Sequence, residues 1–422
     1  MNDVTRYADM KDSGVEWIGK IPSHWKMVAN KYIMYKKKTI CERWNGEDIL
    51  SLTMKGVVIR DVVNPSGKMP LTFDGYQYIY KGDLLMCLFD IDVTPRCIGR
   101  VYNDGVTSPA YSRYIVFNKY SFNFLYYYYL MLDNSKILVH LSKNLRHSFT
   151  DDQLKILKIP MPSSKEQSNI ASYLDDQCAK IDDIIAGART SIDEYRKWKA
   201  SVIYEAVTKG LDPHAEMKDS GVEWIGKIPS HWETIKVKYL FRINKNIAGK
   251  EGYTVLSVTQ KGITPKNMKE KGQFAMDYSG YQIVHCGDFI MNHMDLLTGW
   301  IDISSYNGVT SPDYRVFYIN KNTEFSLFYK YVFQSCYTNK IFYNMGQGVS
   351  GLGRWRLPTE IFYNFIIPVP KFEEQKDIVN YLDRYCSEID QLISEKEALI
   401  ADLESYKKSL IYEVVTGKRK VS

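Results

Sequence analysis

Three groups of residues in this chain have the types and spacing to do chemistry. Gly346-Gln347-Gly348-Val349-Ser350-Gly351 matches the dinucleotide fingerprint G-x-G-x-x-G, whose glycines let backbone approach a pyrophosphate where a strand opens into a helix. The context argues against that use. The motif follows a helix-like stretch and runs on into Arg354-Trp355-Arg356-Leu357-Pro358. A loop that carries Arg354 and Arg356 to a phosphate or a base edge fits the residues better. His285, Asp288, His293 and Asp295 are close enough in sequence to suggest metal ligands. Only Asp288 recurs in an equivalent setting, as the aspartate of Gly82-Asp83, so strand and loop residues are the simpler reading and no metal is expected. The third group is a scatter of basic and amide residues among 33 tyrosines: Arg60, Arg96, Arg100, Arg113, Lys143, Arg146, Lys266, Asn292, Arg315, Gln347, Arg354 and Arg356. Cations and amides beside aromatic rings suit a nucleic-acid surface.

Enzymatic machinery is missing from the sequence. It holds no Walker loop, nucleophile elbow, H-E-x-x-H, N/D-P-P-Y/F methyltransferase motif or convincing nuclease carboxylate cluster. No catalytic residue and no cofactor is assigned. The net charge of +6 permits an anionic partner without demanding one. The seven cysteines include no C-x-x-C pair, so neither a zinc site nor a disulfide framework is expected. The N-terminus has no apolar stretch of signal-peptide type, and Phe124–Leu132 is too short and too rich in tyrosine to span a membrane. A reduced, cytoplasmic protein is the expectation.

The elements that position these residues come in duplicate. Met10–Trp25 (MKDSGVEWIGKIPSHW) returns unchanged at Met217–Trp232. Ser51-Leu52-Thr53 matches Ser257-Val258-Thr259, Gly82-Asp83 matches Gly287-Asp288, and Val106–Pro109 matches Val309–Pro312. Ile159-Pro-Met-Pro162 recurs as Ile367-Pro-Val-Pro370 and Ile203-Tyr204-Glu205 as Ile411-Tyr412-Glu413. The offset drifts from 207 to 203 and then rises to 208, so the second copy has five extra residues, at the loop Gly346–Gly353. Within the first copy, strand-like runs at Ile49–Ile59, Tyr78–Phe89 and Ser112–Asn118 are divided by turn signals. Phe122–Leu141, without Gly or Pro, reads as a helix with an aromatic face.

From Ser163 to Lys209 the chain has no proline and one glycine, which predicts a helix roughly 65–70 Å long. Leu174, Ile181, Ala188, Tyr195 and Val202 fit one heptad core position, with Ile184 and Trp198 at the other. In the second long helix Leu382, Ile389, Leu403 and Leu410 take one position and Tyr385, Leu392, Leu399 and Tyr406 the other. Two equivalent helices in one chain predict an antiparallel coiled coil, and the equivalent thiols Cys178 and Cys386 are not expected to bond. The fold class is α+β: two globular α/β domains joined by two long helices, with pseudo-two-fold internal symmetry. The expected boundaries are 1–162 and 211–370 for the globular domains and 163–210 and 371–422 for the helices. Trp17, Trp25, Trp224 and Trp232 are expected to be packing anchors, with partner contact as a second use.

The element GVEWIG-x-IP-x-HW at the start of each unit, the IPxP-x₃-EQ run into each long helix (Glu166-Gln167, Glu374-Gln375) and the linker AVTKGLDP at Ala206–Pro213 together resemble the specificity subunit of type I restriction–modification enzymes. The resemblance covers essentially the whole chain and the order of its parts. It implies that each globular region is a target recognition domain reading one half of a split double-stranded DNA site. The long helices would be conserved regions that set the spacing, on the scale of one DNA turn, about 34 Å. They would also dock methyltransferase (modification) subunits, two of them, with restriction subunits joining the larger assembly. Arg60–Lys68 does not resemble Thr264–Lys271, so the site should be asymmetric. Base reading needs bidentate Arg, Asn or Gln, which singles out Arg146, Arg354, Arg356, Asn292 and Gln347. Two other readings stay open: an enzyme with an unrecognised DNA methyltransferase or nuclease site, and a coiled-coil adaptor that never touches DNA.

Overall fold

The computed structural model describes residues 6–64, 69–142, 148–267, 277–320, 325–349 and 354–421. The chain forms two compact units, Met1–Ala188 with Glu397–Ser422, and Arg189–Lys396. Each holds one α/β globular domain and a segment of both long helices, so the class is α+β with an internal repeat.

The two domains share one topology. In the first unit a four-stranded antiparallel sheet runs Met34–Lys36, Ser112–Val116, Leu84–Met86, Ile98–Arg100. In the second the order is Phe241–Asn244, Arg315–Ile319, Phe289–Met291, Ile301–Ile303. The run Ile49–Ile59 is a hairpin of Leu50–Thr53 with Gly56–Ile59, matched by Leu256–Thr259 with Gly262–Pro265. The IPxP motif is a strand in each copy. Lys158–Met161 pairs with Lys26–Ala29, and Ile366–Val369 with Glu233–Lys236, immediately after each signature.

The aromatic stretch departs from the single helix expected of it. It forms Phe122–Asn134 and Ile137–Leu141, divided at Lys136, whose φ is +50°. The second copy breaks in the same way, with Ser326–Thr338 and Ile341–Asn344 divided at Lys340, φ +57°. A left-handed residue turns the chain so that the short segment also reaches the core, where Leu138 and Phe342 are buried.

The long helices are Ser164–Lys209 and Phe372–Val415. Within each unit they run antiparallel. In the first, Lys407 Nζ lies 2.6 Å from Asp182; in the second, Lys199 Nζ lies 2.7 Å from Asp390. The 208-residue offset interconverts these two pairs, so one register serves both units. One expected heptad position is correct: Leu174, Ile181, Ala188, Leu382, Ile389 and Leu410 are buried, and Tyr195 and Leu403 half-buried. The other is off by one residue. Cys178, Ile185, Ile192 and Cys386 fill it, while Ile184, Trp198, Leu392, Leu399 and Tyr406 are exposed. Burying the adjacent positions leaves an apolar stripe with seven-residue spacing on the helix surface. All cysteines are free thiols, Cys178 and Cys386 included.

Candidate nucleic-acid interface

The repeated signature turns out to be a clamp. Trp25 and Trp232 are fully buried, and their indole N–H groups donate to Glu166 (3.3 Å) and Glu374 (2.9 Å), the glutamates of the two EQ pairs. His24 and His231 reach the same carboxylates at 3.0 Å. Burial pushes the Glu166 carboxyl up, but hydrogen bonds from His24, the Ser163 backbone and Trp25 outweigh it and hold the group below its usual range. The neighbouring glutamine points the other way. Gln167 accepts from the Ser121 backbone and donates to Pro162, and Gln375 does the same with Phe325 and Pro370. EQ therefore ties the signature on one side and the start of the aromatic helix on the other.

The far ends of the long helices close on the signatures too. A Cβ on Gly417 would lie 2.3 Å from Pro22, and one on Gly210 would lie 3.2 Å from Trp232. Tyr412 donates to the Trp17 carbonyl and Tyr204 to that of Trp224. Trp224 stacks on Phe365 with ring centroids 5.2 Å apart. All four tryptophans act as packing anchors, identical in both copies because the frame is.

In the second domain two of the candidate reading residues meet on a hairpin. Gln347–Val349 pairs with Arg354–Arg356, placing Gln347 opposite Arg356. Both side chains are exposed. They stand on the rim of a cleft of about 550 Å³ that His293, Met294, Leu357 and Thr359 also line. The hairpin is held from behind. Trp355 Nε1 donates to the Tyr343 carbonyl at 2.7 Å, and the Trp355 carbonyl accepts from Leu296 N at 3.2 Å. Leu357 N donates to the His293 carbonyl at 3.0 Å. Gly346 has to be glycine, because a Cβ there would lie 2.3 Å from the Trp355 indole nitrogen. The G-x-G-x-x-G match therefore opens a strand pair, not a helix. A glutamine amide and a guanidinium side by side can read adenine and guanine edges or hold a phosphate.

The other expected contact residues fare differently. Lys143 and Arg146 lie outside the described residues, as does the side chain of Arg354. Arg60 and Lys266 are half-buried, each just past its domain's hairpin, where their backbone N–H groups donate to Ile49 and Val255. Arg96 leans towards Asp133, with Nε 3.9 Å from the carboxylate. Arg100 is tied to the first long helix through Asp175 at 2.7 Å and lies over the Tyr126 ring. Arg113 is buried in a 2.6 Å ion pair with Asp83. Arg315 is buried as well, donating to the Leu357 carbonyl at 2.9 Å. Asn292 accepts from Met294 N and serves its own turn. Arg100 and Arg113 thus have carboxylate partners inside the fold, whereas Arg315 is buried against neutral acceptors and Asn292 accepts one bond from its own turn.

The histidine–aspartate group is likewise used residue by residue. Asp288 accepts from His285 N at 2.8 Å, and Asp295 caps the turn at Leu297 and Thr298. Burial, and then the charge of Arg315, lowers the His293 pKa to about 3, so its ring is neutral. Thr359, and His293 as a lining residue, were not legible as part of this cleft. Their only signal is position, since Leu357–Thr359 follows the hairpin directly.

Comparison with known proteins places this architecture. The model of the type I restriction modification DNA specificity domain matches residues 31–193 and again 229–401. The chain is 26% identical over 282 residues to the type I restriction enzyme MjaVIII specificity subunit of Methanocaldococcus jannaschii, covering 63% of each chain. It is 27% identical over 285 residues to the putative MjaX specificity subunit of the same organism, covering 65% of this chain and 62% of that one. The matched stretch thus spans less than two thirds of either relative. Among solved structures, a chain from work on complex assembly and conformational transition of the type I R-M system shares the fold with a TM-score of 0.67 at 12% identity, over 94% of this chain and 98% of that one. The HsdS subunit from Thermoanaerobacter tengcongensis gives 0.50 at 13% identity, over 96% and 99%. With two matches that together take in most of the chain, residues 31–193 and 229–401, this chain belongs to the type I restriction–modification DNA specificity family and carries its domain twice.

Proposed function

We propose that the chain is the sequence-reading subunit of a type I restriction–modification complex. Each globular domain reads one half of a split, asymmetric double-stranded DNA site. The chain is not itself an enzyme: methyl transfer and cleavage belong to methyltransferase and restriction subunits that assemble on it. It needs no cofactor and works in the cytoplasm; among the described residues no helix is long and apolar enough to cross a membrane. The boundaries 1–162 and 211–370 mark the two readers, and 163–210 and 371–422 the docking helices.

The observation that carries this reading is a contrast between copies. The Trp–Glu, His–Glu and Gln clamps of the frame are present twice, while the cleft positions diverge. Where the second domain has Arg315, Arg356 and Thr359, the first has Ser112, Ser148 and Asp151. A shared frame with unlike surfaces fits a protein that presents two different readers on one scaffold. Two partner copies are supported by the exposed apolar residues, which also occur twice: Ile184 and Tyr406 beside the Asp182–Lys407 pair, Leu392 and Trp198 beside Asp390–Lys199. Comparing genome methylation with and without the chain tests the function. A split asymmetric motif should lose its methylation on deletion. An unchanged methylome, or methylation by the purified chain with methyl donor and no partner, would overturn the proposal.

A further inference from the structure

Arg315 is only 3% exposed, yet among the described residues it forms no ion pair. Its donors meet neutral groups: the Leu357 carbonyl at 2.9 Å, Thr359 Oγ1 at 3.3 Å and the Met291 sulfur at 3.6 Å, with the guanidinium carbon 4.6 Å from the Phe362 ring centroid. A buried cation without a counter-ion is costly. The first domain shows the usual solution on the opposite face of its sheet, where Arg113 is paired with Asp83. The second domain reverses it. Val316 stands where Arg113 would, and the cation has moved one residue along, to a position held by Ser112 in the first domain.

The uncompensated charge lies directly behind the hairpin cleft. Two of its acceptors, Leu357 and Thr359, belong to the cleft wall, and among the described residues no carboxylate lines it. Thr359 accepts from Arg315, which leaves its own hydroxyl proton to donate. Arg356 and Gln347 supply further donors on the rim. Cations and neutral donors converging on a carboxylate-free cleft are the chemistry of an oxyanion site.

We infer that this cleft holds one backbone phosphate of the bound DNA, gripped by Arg356 and Gln347 and Thr359, with Arg315 as the buried counter-charge that awaits it. This rests on the DNA-reading function proposed above and makes the hairpin a positioning device of the second domain alone. The residues matching Arg315, Arg356 and Thr359 in the first domain, Ser112, Ser148 and Asp151, cannot reproduce it.

The test uses the full chain, with R356Q at the exposed rim and R315M in the interior. Melting is measured in sodium phosphate and in sodium chloride of equal ionic strength. A phosphate-specific rise in Tm is expected for the wild type and should be lost in both variants. Duplex binding is then measured against salt. R356Q should lower the slope of log K against log salt by about 0.9, the loss of one phosphate contact, with base preference unchanged. A relaxed preference at one base with an unchanged slope would make Arg356 a base reader and overturn the assignment. So would a phosphate-specific rise that survives in R356Q, or no rise in the wild type. A rise without any change of slope would leave a free-anion site and refute its use on DNA. Should R315M fail to fold, R356Q decides alone. Should the wild type bind no DNA at all, the proposed function fails, while the melting comparison still decides whether the oxyanion site exists.

Discussion

The exposed apolar pairs on the long helices make a quantitative prediction about partner number. In the second unit Trp198 is 46% exposed and Leu392 38%. A tryptophan offers about 250 Å², so covering the exposed part removes about 115 Å² from water, or about 3 kcal/mol at roughly 25 cal/mol per Å². Leu392 adds about 1 kcal/mol on the same scale. In the first unit Ile184 is 51% and Tyr406 47% exposed, which gives a similar sum of about 3–4 kcal/mol. W198E/L392E should therefore weaken docking at one site by about 10³-fold, and more where the glutamates are desolvated, while leaving the other site intact. Native mass spectrometry of the chain co-expressed with the methyltransferase subunit proposed to dock on it reads this as stoichiometry. The wild type should carry two copies, W198E/L392E one, I184E/Y406E one, and the fourfold variant none. If either double variant sheds both copies or keeps both, the two patches are not independent, equivalent docking faces.

Three other outcomes follow from the structure. D83N should destabilise the first unit by about 3–5 kcal/mol, because it leaves Arg113 buried without its carboxylate. D288N, at the equivalent site with Val316 in place of the arginine, should be neutral or stabilising at pH 7. Burial raises the Asp288 carboxyl above its usual range against the His285 backbone bond, so the native state loses by its ionisation and any gain from D288N fades as pH falls through that raised value. Hydrogen exchange on Leu84–Met86 and Phe289–Met291 reads the two units separately, and equal effects would refute the pairing argument. His293 works with the opposite sign. Its folded pKa of about 3 lies below the ordinary 6.5, so the unfolded chain binds the extra proton and stability falls between pH 6.5 and 3, by at most about 1.4 kcal/mol per pH unit. H293Q should flatten that limb of an acid titration. G346A drives a methyl into the Trp355 ring, so it should displace the hairpin and weaken DNA binding while the melting of the first unit is unchanged. Normal affinity would show that the hairpin is not in the interface.

How much of this was legible in the sequence depended on whether a signal was local. The repeat, the recurring IPxP motif and both long helices could be read because identity and unbroken helical composition are local signals, whereas the pairing of each IPxP as a strand was not legible. The second heptad stripe failed by one residue. Ile184, Trp198 and Leu392 are as apolar as core residues, and only the partner helix decides that Cys178, Ile185 and Cys386 face inward. The fates of Arg100, Arg113 and Arg315 were hidden for the same reason, since Asp175, Asp83 and Thr359 are far from them in sequence. The clamps were visible as motifs but not as contacts. Nothing in EQ says that Glu166 will meet Trp25, 141 residues away. The aromatic helix broke at Lys136 because a lysine gives no warning of a left-handed turn.

The closure of the last helix on the first signature also bears on how the protein is made. The second unit is one continuous stretch, Arg189–Lys396, whereas the first needs both Met1–Ala188 and Glu397–Ser422. Leu410, Ile411, Val414 and Val415 sit in the same core as Ile21, Trp25 and Leu174, and Lys418 donates to the Ile18 carbonyl. During synthesis the N-terminal domain therefore cannot complete itself first, as N-terminal domains usually do. The domain that leaves the ribosome first cannot finish its core until residues beyond Glu397 have emerged. In the interval the first domain waits with the site for that helix uncovered. A released chain truncated after Lys396 should then have a protease-resistant second domain and a labile first one.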